Sequence, residues 1–239
     1  MRLSLSLTWA TLTLALTGVH GATIIAPSSV GAGEGSANVS GPFNSTPATI
    51  QFIIDVSQLS LSIGDEIISI AFRQDNTDPS INAPAAGFSF SNWDLVLSSS
   101  LNAPGSLSST YASNLAGDAV GVRSGSLAVG AGDFPGGASP NTFAPAIIFT
   151  TPFVYTGANG GHLLFTLTHD GAASYIQTDA HGGAGIGAIV VSSGYQDLTG
   201  TVVANVTPVV LLGINPVPEP GTAITGLLAV ALLAKFRRR

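Results

Sequence analysis

Short apolar runs alternate with clusters of turn-forming residues along most of the chain. The runs are rich in Val, Ile, Leu and aromatic residues, and clusters of Gly, Pro, Ser, Asn and Asp separate them. Such runs between such clusters are typical of β-strands. The pattern predicts strands at Thr49–Val56, Ile67–Arg73, Trp93–Leu97, Ser126–Val129, Ala146–Thr150, His162–Thr168, Ile186–Val191 and Thr201–Leu212. No amphipathic helix interrupts them, so we expect one all-β domain, a sandwich or jelly roll, over residues 22–214.

The hydrophobic pattern at the N-terminus differs from that of the body. Arg2 gives a positive start, and the segment Leu3–Leu16 contains no acidic residue. We expect a secretory signal peptide over residues 1–21, with signal peptidase cutting after Gly21 or, as second choice, after Ala22. The alternative is a β-strand, because Leu and Ser alternate at the start of this segment.

The last 25 residues contain three segments in a fixed order. A proline-rich motif comes first, an apolar segment follows from Gly221 to Phe236, and a basic tail ends the sequence. The motif is Val217, Pro218, Glu219 and Pro220, and the tail is Lys235, Arg237, Arg238 and Arg239. Prolines favour an extended segment that a protease can bind, and basic residues favour the cytoplasmic side of a membrane. The apolar segment has sixteen residues, fewer than the ~20 of a typical spanning helix, and a buried core helix is the alternative.

This three-part tail resembles the PEP-CTERM sorting signal of exported Gram-negative proteins over residues 215–239. The resemblance implies transient insertion in the inner membrane, recognition by an exosortase-type protease, cleavage near the motif, and transfer to the cell surface or extracellular matrix. It also implies exopolysaccharide as a partner, since the family often accompanies its production. Five stretches of the body resemble PEP-CTERM surface proteins, a group for which no enzymatic activity is implied: Gly41–Ser45, Ile68–Arg73, Trp93–Ser98, Pro152–Tyr155 and Gly161–Phe165.

Charge and cysteine content narrow the class of protein further. Charged residues make up only 8% of the chain and there is no cysteine, so disulfides cannot stabilise it. Between Ala22 and Asn215 the basic residues are Arg73 and Arg123, against twelve acidic residues. A body this acidic cannot neutralise a run of phosphates, which argues against binding to nucleic acid.

No sequence motif identifies a catalytic residue or a cofactor site. A glycosidase needs two carboxylates across a sugar, but no sequence context selects a pair. The serines form no Gly-x-Ser-x-Gly elbow, and Gly182–Gly187 lacks the Lys-Ser/Thr ending of a phosphate-binding loop, which favours a turn into a strand. A secreted carbohydrate-active enzyme that uses some of the Asp residues is the alternative function.

Two groups of residues suggest metal ligands, and we expect a metal site in neither. Asp75–Pro79 places oxygen ligands close together, but it lacks the twelve-residue calcium-loop pattern, so a turn is favoured. His162 and His169 would point to opposite faces of one strand. The pattern favours exposed or loop positions for these two histidines and for His181.

Aromatic side chains could stack on sugar rings. Trp93 begins a strand pattern, which favours a place in the core. The four tyrosines are candidates for such stacking: Tyr111, Tyr155, Tyr175 and Tyr195. Together, the patterns predict a non-enzymatic exported protein of the envelope or extracellular matrix.

Overall fold

A computed structural model describes residues 21–78 and 82–217 of the chain. In this part the regular structure consists of β-strands and short 3₁₀ turns. The strands are β1 Ala22–Ala26, β2 Ala37–Val39, β3 Ala48–Ile54, β4 Glu66–Phe72, β5 Asn82–Ala83, β6 Phe88–Phe90, β7 Trp93–Ser99, β8 Val120–Arg123, β9 Leu127–Val129, β10 Phe134–Pro135, β11 Ile147–Val154, β12 Leu163–His169, β13 Thr178–Gly182, β14 Gly187–Ser192, β15 Thr201–Ala204, β16 Val206–Pro208 and β17 Val210–Asn215. The 3₁₀ turns are Ser28–Val30, Gly41–Phe43, Val56–Gln58, Pro104–Ser106, Tyr111–Ser113 and Ala158–Gly160.

Two antiparallel sheets form the main layers of the domain. The first sheet has four strands in the order β1-β17-β4-β11, and the second has six strands in the order β15-β14-β3-β12-β7-β8. A three-stranded sheet, β16-β13-β2, and the pairs β10-β5 and β6-β9 complete the fold. The expected all-β sandwich is therefore confirmed.

The middle of the six-stranded sheet is apolar on both of its faces. Phe165 on β12 is paired with Phe52 on β3 and with Leu97 on β7. The rings of Phe52 and Phe165 stack at 4.5 Å between centroids, within the main core. Ile53 and Leu164 point to the opposite face, where a smaller buried cluster forms around Tyr111. Because both faces are covered, β3 and β12 have nearly continuous apolar sequences rather than strict alternation.

Seven of the eight predicted strands form with small shifts of their ends. The prediction of one strand over Thr201–Leu212 is wrong, because the chain there divides into β15, β16 and β17. Asn205, which directly follows β15, has a φ of 60°, and the chain turns there. The three strands join three different sheets, so this segment crosses from one layer of the sandwich to the other.

The sequence pattern also missed several short strands. Residues 31–41 and 133–145 are rich in glycine and have no strand pattern of their own, but they contain β2 and β10. β2 pairs with β13, and β10 pairs with β5. These strands are two or three residues long, so their existence depends on a partner that is distant in sequence.

One outer strand carries a feature that disfavours pairing with further chains. β11 contains Pro152, and its pairing with β4 shifts register between Ile148 and Phe153. A proline removes a donor and a bulge bends the strand, and both protect the edge of a sheet. Residues 22–215 contain no lysine, which is another residue that commonly protects the edge of a sheet.

Candidate functional site

The two ends of the described chain, which adjoin the predicted processing sites, lie next to each other at one end of the domain. Ala22, the first residue of β1, is paired with Ile214, near the end of β17. Gly21 and Ala22 are both exposed. Because β1 and β17 are antiparallel neighbours, the chain enters and leaves the four-stranded sheet at the same end.

The residues after β17 are attached to the body as far as Val217. The backbone N–H of Val217 donates to Asp65 Oδ1 at 3.1 Å. The Val217 side chain is 46% exposed and lies against Gly64, where a β-carbon would come within 2.7 Å of Val217 Cγ2. The contacts with Gly64 and Asp65 therefore hold the first residue of the predicted sorting motif beside the sheet.

The remaining parts of the predicted signals fall outside the described residues. This applies to residues 1–20, to the motif residues Pro218, Glu219 and Pro220, and to the predicted apolar segment and basic tail that follow. Within residues 21–78 and 82–217, no helix has the length and apolar character needed to cross a membrane.

A second candidate site is a buried group of charged side chains that the sequence did not predict. Carboxylate oxygens of Glu34, Asp75 and Asp179 lie within 4.8 Å of one another. Arg73 Nε donates to Asp179 Oδ2 at 2.7 Å, and Arg73 Nη2 donates to the Gly33 carbonyl at 2.6 Å. We call Glu34, Asp75 and Asp179 the acidic cluster.

Backbone pairing between two distant segments assembles the acidic cluster. The Asp179 N–H donates to the Arg73 carbonyl, and the Asp75 N–H donates to the Gln177 carbonyl, both at 2.9 Å. The end of β4 therefore continues alongside the start of β13. Glu34 arrives from the loop before β2, where its Oε1 accepts a hydrogen bond from the Asn76 N–H at 3.3 Å.

Burial and repulsion govern the electrostatics of the acidic cluster. Desolvation raises the pKa of Asp179, although the hydrogen bond and charge of Arg73 oppose this effect. Desolvation also raises the pKa of Glu34, and the nearby charge of Asp179 adds to the effect. Both shifts indicate that the carboxylates are held where their negative charge is costly.

Sequence reasoning assigned Asp75 to a turn, and a turn forms there. Asp75 Oδ1 accepts hydrogen bonds from the backbone and the hydroxyl of Thr77, and the Asp78 N–H donates to the Asp75 carbonyl. No local sequence pattern predicts that Asp75 lies near Glu34 and Asp179. The segments that meet there are distant in sequence, since Arg73, two residues before Asp75, is 106 positions from Asp179.

Two of the three described histidines differ from the expectation of exposed or loop positions, whereas His162 lies in a loop, as expected. His169 is completely buried at the end of β12, so the expectation is wrong for this residue. His181 is half-buried on β13, which is also a correction, since it lies on a strand. His162 is half-buried before β12 and pairs with Asp55 at 3.1 Å. No histidine takes part in the possible metal group found in the described residues.

The predicted position of Trp93 in the core is confirmed. Its side chain is fully buried, and its Nε1 donates to the Pro42 carbonyl at 2.9 Å. Tyr111 and Tyr155 are also buried, whereas Tyr175 is 57% exposed. Of these aromatic side chains, Tyr175 has the exposure that stacking on a sugar would require.

The described part of the chain has at least two surface grooves. One, of about 300 Å³, lies between β9 and residues 144–148 and is lined by apolar side chains together with Arg123 and Asp133. The other, of about 630 Å³, is lined by hydroxyl and amide side chains and by Asp197. The acidic cluster contributes to neither groove.

No protein-family model matches the chain, and comparisons with characterised proteins and with solved structures found no match.

Proposed function

We propose that this chain is an exported bacterial protein of the cell surface or extracellular matrix. In this proposal, signal peptidase removes the N-terminal segment after Gly21 or Ala22. An exosortase-type protease then recognises Pro218, Glu219 and Pro220 in the inner membrane and cleaves near this motif. The β-sandwich is the part that remains outside the cell.

The position of the domain boundaries carries this proposal. The first strand that the structure describes begins at Ala22, directly after the preferred cleavage position, and the last described strand ends at Asn215, two positions before Val217. Removal of residues 1–21 and of the segment after the motif would therefore leave all of the described strands intact. A domain that loses no strand on processing can fold before or after its two ends are cut.

The paired ends add a geometric argument. Because Ala22 lies opposite Ile214, both membrane-directed segments leave from one end of the sandwich. The precursor can then hold both segments in the same membrane while the body stays on one side. The basic tail favours the cytoplasm, which puts the body on the outer side.

Exopolysaccharide is the partner that we propose for the mature domain. The larger groove offers neutral hydroxyl and amide groups, which suit hydrogen bonding to sugars, and a carboxylate. Its polar side chains include Asn44, Thr46, Ser192, Ser193, Asp197 and Thr199. We propose binding without turnover. A carbohydrate-active enzyme has weaker support, because the carboxylates of the acidic cluster are packed around Arg73 and line neither groove.

The experiment that tests the proposal is mass spectrometry of the protein's ends in its native host. Envelope and secreted fractions are analysed separately. The proposal expects an N-terminus at Ala22 or Thr23 and the loss of the apolar segment after the motif. An intact Arg239 on protein in the inner membrane would overturn the sorting part and leave a membrane-anchored protein. Release of reducing sugar by the mature protein would instead favour the enzyme.

A further inference from the structure

The buried negative charge of the acidic cluster exceeds the positive charge that lies near it. Asp179 is 0% exposed and Asp75 is 3% exposed. Arg73, which is 2% exposed, is the cation that pairs with Asp179. Arg123, the other basic residue of the described chain, lies over the ring of Trp93. Buried charges are normally paired or bound to a metal ion, because an isolated charge loses its hydration. When all three carboxylates are ionised, one guanidinium leaves a net charge of two negative charges in the cluster.

The hydrogen bonds of the cluster leave buried oxygens unused. Asp179 Oδ2 accepts from Arg73 Nε and from the Gly35 N–H, but Asp179 Oδ1 is buried and accepts no hydrogen bond within the described residues. Glu34 Oε1 accepts from the Asn76 N–H, whereas Glu34 Oε2 is likewise buried without a donor. A buried acceptor without a donor is costly, and a cation would satisfy both oxygens.

The glycine beside Glu34 shows where the unused oxygen of Asp179 points. A β-carbon at Gly35 would collide with Asp179 Oδ1 and with the Ala180 carbonyl oxygen. Asp179 Oδ1 therefore faces the loop that carries Glu34, while the guanidinium of Arg73 occupies Oδ2. The arginine and a cation would thus use different oxygens of the same carboxylate.

We propose that Glu34, Asp75 and Asp179 bind one calcium ion. Calcium takes oxygen ligands at 2.3–2.6 Å, in flexible geometry. Two oxygens on opposite sides of one ion are then about 5 Å apart, and the three carboxylates offer oxygens within 4.8 Å of one another. The ion would balance the two uncompensated charges and join the end of β4, the start of β13 and the loop before β2.

The test compares the thermal unfolding of the full chain, purified in detergent, after EDTA treatment and in millimolar CaCl₂. The variant is Glu34→Gln, because Glu34 is half-buried on a loop and its replacement leaves the Arg73–Asp179 pair in place. The matched control is Glu66→Gln, another half-buried glutamate, which contacts Asn215 outside the cluster.

If the cluster binds calcium, the original chain should be no more stable than Glu34→Gln in EDTA but more stable than Glu34→Gln in CaCl₂. In EDTA, Glu34→Gln unfolds at the same or a higher temperature than the original chain, because one of three repelling charges is gone. In CaCl₂, the unfolding temperature of the original chain and of Glu66→Gln rises with calcium concentration, whereas that of Glu34→Gln does not. Calorimetric titration with CaCl₂ is expected to show binding that Glu34→Gln weakens about tenfold or more.

Two results would overturn the inference. The first is an unfolding temperature of the original chain that is the same in EDTA and CaCl₂, with no heat of calcium binding. The second is a calcium effect that Glu34→Gln retains in full, which would place the ion elsewhere. A stronger response to MgCl₂ than to CaCl₂ would contradict the choice of ion. None of these outcomes depends on how the ends of the chain are processed.

Discussion

The ring of His169 is fixed in one tautomer by its contact with Gly41. His169 Nε2 lies 2.8 Å from the Gly41 carbonyl oxygen, and Nδ1 accepts a hydrogen bond from the Gly171 N–H at 3.1 Å. Nε2 must therefore carry the proton and Nδ1 must be free of one. The neutral ring fits its surroundings, since it is fully buried and packs edge-on against Phe90.

This arrangement predicts a loss of stability in mild acid. Burial lowers the pKa of His169 below its ordinary value of about 6.5, although the hydrogen bond to Gly41 and the charge of Asp170 oppose the shift. In mild acid the unfolded chain therefore binds more protons at this histidine than the folded chain does. The contribution of neutral His169 to stability is fully present above about pH 6.5 and falls as the pH drops toward the lowered pKa.

Denaturant unfolding at about pH 7.5 and pH 5.5 measures this effect. Replacement His169→Gln is expected to lower stability at both pH values but to flatten the difference between them. The control His181→Gln leaves His169 in place and is expected to keep the original difference. Glu34 and Asp179 act in the opposite direction, because their pKa values are raised and their contribution falls as the pH rises. An unchanged pH difference in His169→Gln would refute the assignment.

The stacked pair Phe52–Phe165 predicts where the sandwich is most sensitive to truncation. Both rings are fully buried, and their planes are 8° apart. Replacement Phe165→Ala should lower the free energy of unfolding by about 3–5 kcal/mol, since it removes apolar contacts and leaves a cavity. Ile148→Ala, at a side chain that is 66% exposed, should change it by about 0.5 kcal/mol or less. Denaturant unfolding compares the two, and similar losses would contradict this account of the core.

The central strands could be predicted from sequence because both faces of their sheet are covered, so that most of their residues are apolar. β3 and β12 have nearly continuous apolar runs, and such runs form strands in most contexts. The break at Asn205 could not be predicted, because Val and Thr continue on both sides of it. That break depends on which sheet each part joins, and sheet membership is set by partners distant in sequence.

The acidic cluster shows the same limit for a site. Asp75 sits in a turn that its own sequence indicates, but its neighbours come from a loop before β2 and from β13. The pairing of Asp75 with Gln177 and of Arg73 with Asp179 brings the two aspartates together, and the pairing of β2 with β13 brings in the loop that carries Glu34. Composition indicated an excess of acidic residues, and the fold determines which of them become buried neighbours.

Gly35 predicts a test of the packing around Asp179. Because a β-carbon there would collide with the Ala180 carbonyl and the Asp179 carboxylate, Gly35→Ala should destabilise the domain by roughly 1–3 kcal/mol. Gly105 is a matched control, since a β-carbon there meets nothing within 4 Å, and Gly105→Ala should be neutral or stabilising by about 0.4–1 kcal/mol. Denaturant midpoints measure both. Equal midpoints for the two variants would show that the loop at Gly35 can move away.

The proposed sorting motif predicts a separation between export and release. Replacement of Pro218, Glu219 and Pro220 by alanine keeps the proposed signal peptide, the apolar segment and the basic tail. Signal peptidase should still cut, but the exosortase-type protease should not recognise the chain, so protein with an intact C-terminus should accumulate in the inner membrane.

The control for this prediction is Pro216→Ala, which removes a proline just before the motif and leaves Val217 attached to Asp65. Immunoblots of inner-membrane, surface and secreted fractions, with mass spectrometry of the C-terminus, distinguish the two variants. Release of the triple variant at the original rate would contradict a role for the motif. Equal retention of both variants would instead assign recognition to the extended backbone before the motif, because proline at position 216 would then matter as much as the three residues after Val217.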